Sequence, residues 1–339
     1  MYTVGIMGAG SIGAMKPDNI DSPKTFMPLT HAHAVYSNKN FHLSWIFDKS
    51  IPVMQQAQKK WRINSGTCFD PVDVVVIASP TETHLEEITK ICESKKENRP
   101  RLIVLEKPAG INIHEATKID YLTKEMGIKV VVNYGRRFNN IILHCAETIK
   151  REETIQNITF YYTRGFIRDG SHAIDMLNLF AGNFVDGNLL PMPIIDHTKE
   201  DPTYGAYMNY SRCPYVLLIP LDGRDYDIFE MHIKTNETSW DFYNHFQKIS
   251  TTFKQKESTY GNYHSMSAPE GCYWETDLSY SLEVLYQRIF NHLSEIDDGN
   301  YFFDTTLPQN YICGMKEAIR VHAVIDRLMI KKQIEENEK

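Results

Sequence analysis

The sequence predicts an α/β protein in two parts: a doubly wound parallel sheet, then an α+β domain with a mostly antiparallel sheet. Three observations carry this. Five apolar runs recur over residues 1–135 with helical patterns in the gaps, a glycine-rich turn follows the first run directly, and the later strands become longer and alternating. A chain of 339 residues also suits about two domains at ~100–200 residues each.

In chain order the runs are "YTVGIMG", closed by glycine; "HLSWIFDKS", closed at Asp48; "VDVVVIASP", β-branched over residues 72–77; "RLIVLEKP"; and "IKVVVNYG". Continuous apolar character means burial on both faces, as in parallel strands covered by helices. Helical patterns at residues 51–61, 84–94 and 113–126 fill the gaps, and the alternation defines a doubly wound domain. We place it at residues 1–135 and the second domain at 136–339. In the latter, "IQNITFYYTRG", "PYVLLIPLD", "YDIFEMHIKT", "ETSWDFYN" and "KISTTFKQ" read as strands, several alternating polar and apolar, which fits a sheet with one covered face. Three helices flank them: "GSHAIDMLNLFAG", "TDLSYSLEVLYQRIFNHLSEI", with Leu278, Leu282, Leu285 and Ile289 at helical spacing, and "PQNYICGMKEAIRVHAVIDRLMIKKQ". The charged tail is expected to fray.

A net charge of −7 argues against a general nucleic-acid binder, which needs clustered Lys and Arg. It leaves room for an anion held by backbone N–H groups. No signal peptide is read at the N-terminus and no window approaches a membrane span. Six cysteines lie far apart without a C-x-x-C pair, so neither a zinc site nor a disulfide framework is expected. The expected compartment is the cytoplasm. His31 and His33 lack metal spacing and no H-E-x-x-H occurs, so no metal is expected.

"VGIMGAGSIG" places Gly8, Gly10 and Gly13 as G-x-G-x-x-G at the first strand-to-helix turn. Such a turn brings backbone against a pyrophosphate at a helix N-terminus. The alternative is a tight turn with no ligand. Asp48 ends the second strand, where an acid binds the ribose hydroxyls of NAD and repels the extra phosphate of NADP; Lys49 and Ser50 leave NADP possible. Asp48 lies thirty-five residues beyond Gly13, against a usual spacing of about twenty. The excess, "AMKPDNIDSPKTFMPL", reads as a loop before a helix opening at Thr30.

"GAGSIG", "IASPTETH", "LEKPAG", "NYGRRF" and "GSHAIDML", in that order, resemble the Gfo/Idh/MocA family (glucose–fructose oxidoreductase, inositol dehydrogenase, rhizopine catabolism). The resemblance implies a Rossmann domain followed by an α+β domain whose open sheet pairs subunits, hence a homodimer or homotetramer. It implies an NAD(P)-dependent oxidoreductase acting on a small sugar-like substrate. Gly8, Gly10, Ser11, Ile12 and Gly13 would cradle the cofactor, with Ser79, Pro80, Thr81 and His84 beside it. Glu106 would contact the cofactor ribose, Lys107 would face cofactor and substrate, and Pro108 would be cis or otherwise rigid. Arg137 would sit where the chain enters the second domain, toward substrate, and His172 would be the acid or base. Many members carry Asp four residues before this histidine. Here that residue is Arg168, and Asp169 follows it. Either Asp169 serves by a small shift, or Lys107 and His172 act alone.

These residue types suit hydride transfer at a carbinol, which needs a proton carrier and positive charge near the developing alkoxide. Lys107 stands at the carboxyl end of a parallel strand, where α/β folds bind ligands. His172 can exchange a proton near neutral pH, and Asp175, three residues on, can orient it or bind a hydroxyl. Asp169 or Ser171 can cap this helix. Arg164 and Arg168 can instead bind an anionic substrate group. Tyr260, Tyr263, Tyr273 and Trp274 in residues 258–277 can stack on a sugar ring or serve an interface. Two rival functions remain: an NAD-dependent enzyme without net redox, working through transient oxidation, and a non-catalytic dinucleotide-binding protein.

Overall fold

Four of the first five strands are short and wholly or almost wholly apolar, which is why they are shielded on both faces. In the computed structural model, which describes residues 1–63, 69–152, 154–256, 262–267, 272–298 and 311–337, they are β1 (Tyr2–Met7), β2 (Phe41–Phe47), β3 (Val74–Ile77), β4 (Leu102–Leu105) and β5 (Lys129–Val132). All neighbours are parallel, in the order β2-β1-β3-β4-β5. Every residue of β3 and β4 is buried. The order reverses between β1 and β3, and ligands of such sheets bind beyond the strand ends at that point. The helices are α1 (His31–Ser37), α2 (Ile51–Lys60), α3 (His84–Glu93) and α4 (Ile113–Glu125). The last three keep within one residue of the expected limits.

The long segment after Gly13 is an insertion within the first helix. Ala14 N and Met15 N donate to the Gly10 carbonyl, closing a single turn. His31 N then donates to the Ile12 carbonyl (3.0 Å) and Ala32 N to the Gly13 carbonyl (2.9 Å). An unbroken helix gives those carbonyls to the residues four places on, so His31 stands where residue 16 would. Fifteen residues are thereby looped out, and the distance from Gly13 to Asp48 returns to the usual value of about twenty. Thr30 caps α1 by accepting from His33 N. The loop is fastened by Asp21, fully buried, which accepts from Leu29 N, Thr30 Oγ1 and His33 Nδ1, each at 2.9 Å. Burial works to raise its carboxyl, but these hydrogen bonds outweigh it and hold the group below the ordinary aspartate range. Trp61 Nε1 and Lys60 Nζ add bonds to the carbonyls of Ala14 and Lys16.

The second sheet holds nine strands among the described residues: β6 (Ile155–Tyr162), β7 (Phe184–Leu189), β8 (Ala206–Tyr210), β9 (Cys213–Pro220), β10 (Phe229–Thr235), β11 (Thr238–Tyr243), β12 (Lys248–Lys256), β13 (His264–Ser267) and β14 (Tyr273–Glu275). The order is β13-β12-β11-β10-β6-β9-β8-β7, with β14 also on β12. All pairs are antiparallel except β6 with β9. Alternation puts Ile158, Phe160, Met231, Ile233 and Phe242 in a core, while Tyr161, His232 and Tyr243 on the other face keep partial exposure. Helix α5 (Asn140–Glu152), absent from the sequence reading, presents buried Ile142, Ala146 and Ile149. Helix α6 (Gly170–Ala181) covers the core face, with Phe180 edge-on to Phe242 at 5.2 Å.

The chain divides into two units: residues 1–140 with 279–319, and residues 141–278 with 320–339. This differs from a single boundary at 135. Helix α7 (Ser281–Asp297) belongs to the first unit because its apolar stripe packs there: Tyr286 meets Phe41 (5.5 Å), and Phe290 meets Tyr2 (6.1 Å) and Phe41 (6.5 Å). Helix α8 (Met315–Asn337) starts in the first unit and counts with the second from Arg320. Among the described residues no helix is long and apolar enough to cross a membrane. Tyr260 and Cys68 lie outside the described residues.

Candidate functional site

The three glycines of the turn are there for three different reasons. Gly8 has φ +91°, and a Cβ on it would lie 2.4 Å from Ser79 N; a Cβ on Gly13 would lie 1.9 Å from the Gly8 carbonyl. Both are demanded by the chain's own packing. A Cβ on Gly10 would meet nothing within 4 Å, so that position opens onto space a ligand can use. Gly13→Ala is therefore expected to spring the turn: NADH affinity, read by fluorescence titration, should fall about a hundredfold or more, with a lower melting temperature.

Asp48 closes the turn from the side. Its Oδ2 accepts from Ala9 N and its Oδ1 from Ser50 N, both at 2.8 Å. Gly8, Gly10, Asp48, Ser79 and Pro80 line one cleft of about 580 Å³, with Lys49, Glu82 and Glu87 also in its wall. The cleft sits at the carboxyl ends of β1, β2 and β3. Ser79 is tied down, donating to Glu87 Oε2 (2.5 Å) and accepting from Thr83 Oγ1 (2.9 Å). Ser11 is exposed on the turn and accepts from Lys16 Nζ at 3.5 Å. Ile12 serves through its carbonyl, which receives His31 N. Thr81 opens a short 3₁₀ turn. His84 is buried completely, with Nε2 3.0 Å from the Ser79 carbonyl. It braces the cleft wall from behind, a correction to the expectation that it lies beside the cofactor.

Glu106 and Lys107 follow β4, outside that cleft's wall. Glu106 is 9% exposed, and its Oε1 is 2.9 Å from His31 Nε2 and accepts from Asn133 Nδ2 at 2.6 Å. His31 Nδ1 is in turn 3.0 Å from the Tyr286 hydroxyl. Burial alone would raise the Glu106 carboxyl; the bond and charge of His31, the bond from Asn133 and the charge of Lys107 hold it below the ordinary value. The expected ribose contact is thus corrected for Oε1, which is engaged inside the unit. Lys107 is half-buried and its bond to Pro108 is cis, within what was expected. Arg137 stands just before the unit boundary at residue 140, as expected, but not as a substrate contact: it is 4% exposed, donates from Nη1 to the Tyr311 hydroxyl (2.9 Å), and its carbonyl accepts from Arg288. It is an internal strut of the first unit, because the chain at this point is packed under α7.

In the second unit the "RGFIRDGSH" stretch forms a π-helical turn, Gly165–Asp169, leading into α6. Its free amides are taken by a polar loop that no sequence motif marks. Asp201 accepts from Ile167 N (2.8 Å) and Arg168 N (3.0 Å); Asp196 accepts from Arg164 N (2.6 Å) and Thr203 Oγ1 (2.5 Å). Asp169 takes the cap position of α6 but its side chain makes no cap bond; Ser171 Oγ donates back to the Arg168 carbonyl. His172 is half-buried, its ring edge-on to Phe229 at 6.4 Å. Asp175 is 1% exposed, so a direct substrate contact is corrected to an internal position. Exposed Arg168 donates to His197 (2.8 Å) and lies 3.9 Å from Asp169. Of the aromatics expected to stack, Trp274 lies parallel to Trp240 at 5.8 Å, and Tyr263 and Tyr273 are exposed. Among the described residues no group of three His, Cys, Asp or Glu can hold a metal.

A glycine turn at the switch point of a parallel sheet, followed by a mixed sheet, defines a dinucleotide-binding α/β protein with a second α+β unit. Residues 2–134 match the family model described as "Oxidoreductase family, NAD-binding Rossmann fold", and the N-terminal domain is that of the Gfo/Idh/MocA oxidoreductases. Over 119 residues the chain is 31% identical to scyllo-inositol 2-dehydrogenase (NAD(+)) of Bacillus subtilis, 34% of this chain and 32% of the relative. With a second B. subtilis oxidoreductase it shares 25% identity over 53% of this chain and 54% of that one. The chain thus spans a third to about half the length of these curated relatives. Two solved structures share the fold at low identity. A super-repressor mutant of Gal80p from Saccharomyces cerevisiae is 13% identical, with 98% and 96% coverage and a TM-score of 0.73. The WlbA dehydrogenase from Bordetella pertussis, in complex with NADH and UDP-GlcNAcA, is 14% identical, with 97% and 94% coverage and a TM-score of 0.70.

Proposed function

We propose that the chain is an NAD(P)-dependent oxidoreductase that transfers a hydride to or from a hydroxyl or keto group of a sugar, cyclitol or nucleotide-sugar-like substrate. The observation that carries this is the open space in front of Gly10, in a cleft where Gly8 and Gly13 are already accounted for by packing. The cleft wall holds Asp48, Glu82 and Glu87 against one cation, Lys49, which favours NAD over the more anionic NADP. When bound, the nicotinamide supplies or takes up the hydride. Lys107 hydrogen-bonds the reacting oxygen and stabilises its negative charge; His172 exchanges the hydroxyl proton, with Asp169 as its acidic neighbour. Buried Arg137 and Asp175 keep supporting positions. A cytoplasmic homo-oligomer goes with this reading. The relatives' names, an inositol dehydrogenase and a dehydrogenase holding NADH and UDP-GlcNAcA, support the substrate class.

The test is to incubate the protein with NAD or NADH and a panel of scyllo-inositol, hexoses and UDP-sugars while following nicotinamide absorbance and product together. Stoichiometric absorbance change is expected. Product without net change marks transient oxidation instead. Cofactor binding with neither marks a non-catalytic protein, a reading favoured by Arg168, an exposed cation bound to His197 where many relatives have an acid.

A further inference from the structure

Two stretches of left-handed backbone in the second unit converge on one carboxylate, Asp227. Arg164 has φ +66° and follows β6; its Nη1 lies 3.1 Å from Asp227 Oδ2. Asn244, His245 and Phe246, at φ +47°, +57° and +71°, turn the chain from β11 into β12. His245 Nε2 lies 3.8 Å from the same oxygen. Asp227 Oδ1 accepts from Thr163 Oγ1 at 2.9 Å.

Left-handed backbone is costly for residues that carry a Cβ. It persists where the surroundings over-determine it, and it gathers at ligand sites. Packing accounts for Phe246, which is fully buried against Phe229 and Phe242. The same turn also sets His245 beside Asp227. That imidazole is held parallel to the Phe229 ring (8°, 6.3 Å) with a third of its side chain in solvent. Phe229 is also the ring that His172 meets edge-on, so the cluster adjoins His172 within the same unit.

We propose that Arg164, Asp227 and His245 read a pair of neighbouring hydroxyls on the substrate ring, a specificity site beside His172. The identity of the ligand rests on the sugar or cyclitol substrate proposed above. A hydroxyl both donates and accepts. A carboxylate flanked by a guanidinium and an imidazole offers both roles within one hydroxyl pair's reach. The three side chains are 41%, 34% and 34% exposed, open enough for a ligand to replace water without stripping a buried ion. A carboxylate or phosphate would gain from Arg164 but be repelled by Asp227, so the cluster fits a neutral polyol.

The test uses the full chain with NAD(H) and, as probes, scyllo-inositol, myo-inositol and N-acetylglucosamine, with glucuronate as the anionic control. Binding is read by saturation-transfer NMR and turnover by nicotinamide absorbance. Asp227→Asn keeps the acceptor for Thr163, and His245→Asn keeps a residue that tolerates left-handed backbone. NADH affinity and circular dichroism check each fold. Each variant is expected to raise KM or Kd for the neutral polyol about tenfold or more, with kcat within about threefold. Unchanged KM in both variants, with turnover intact, overturns the cluster and leaves the proposed function standing. Polyol binding that both variants lose, in a wild type without turnover, overturns the dehydrogenase reading and leaves the cluster. A wild type that binds no probe overturns both, and tighter binding of glucuronate than of the polyols overturns the choice of hydroxyls.

Discussion

Replacing Lys107 with alanine is expected to lower kcat about a thousandfold, equivalent to ~4 kcal/mol of transition-state stabilisation, while the Kd for NADH stays within about threefold. The size follows from what the residue is asked to do. One well-placed donor toward a developing oxyanion is worth ~10²–10³ in rate, and loss of a charged one stands at the upper end. Its placement is set from behind. Strand β4 is buried throughout, and Glu106, the next residue, is pinned by His31 and Asn133, so Lys107 leaves the sheet at a fixed point. NADH affinity is spared because the cleft is walled by residues that do not include Lys107. Single-turnover absorbance with the substrate found in the panel, beside a fluorescence titration of NADH, separates the two effects. An unchanged kcat removes Lys107 from the chemistry.

Glu106→Ala is expected to destabilise the fold by ~3–5 kcal/mol, the usual cost of removing one partner of a buried, hydrogen-bonded pair. It would leave His31 Nε2 and Asn133 Nδ2 without their acceptor inside the first unit. A domain of marginal stability has ~5–15 kcal/mol in hand, so the variant should melt far lower or fail to express. Glu106→Gln, which keeps an acceptor oxygen, should lose much less. The acid dependence has a definite sign. Glu106 is held below its ordinary value in the folded state, so its contribution is fully present above ~4.3, the unfolded carboxyl's value, and disappears as pH falls through the lower folded value. Asp21 acts in the same direction. Urea midpoints measured from neutral pH down to about 3 should fall more steeply for wild type than for Glu106→Gln. Parallel slopes would show that the carboxylate contributes nothing.

What the sequence showed, and what it hid, follows physical lines. The first sheet was legible because parallel strands need continuous β-branched runs, and "VVVI" and "LIVL" have no other reading at that length. The glycine turn was legible because close backbone approach excludes side chains at Gly8 and Gly13. The irregular spacing to Asp48 was visible, but its cause lay in two hydrogen bonds, from His31 and Ala32, that cross the looped-out segment. Helix α5, as long as α4, carried the right signal in Ile142, Ala146 and Ile149, but it lies where the short apolar runs give way to the longer alternating strands and ends in the charged run Lys150, Arg151 and Glu152. The return of residues 279–319 to the first unit depends on which surface Tyr286 and Phe290 cover, and an amphipathic pattern names a face without naming its partner. Asp196 and Asp201 are ordinary polar loop residues until the amides they accept from are known. The left-handed backbone at His245 is hidden for the same reason that it matters: histidine does not advertise that conformation as glycine would.

In this reading Gly8 and Gly13 answer to the chain's own packing, and the open space in front of Gly10 is what a bound dinucleotide occupies. Gly10→Val probes that space directly, because a Cβ there meets no heavy atom within 4 Å outside its chain neighbours, so the added side chain enters the open space. An unchanged melting temperature is expected, together with loss of NADH binding by about a hundredfold or more in fluorescence titration. A valine variant that binds NADH as tightly as the wild type would contradict it.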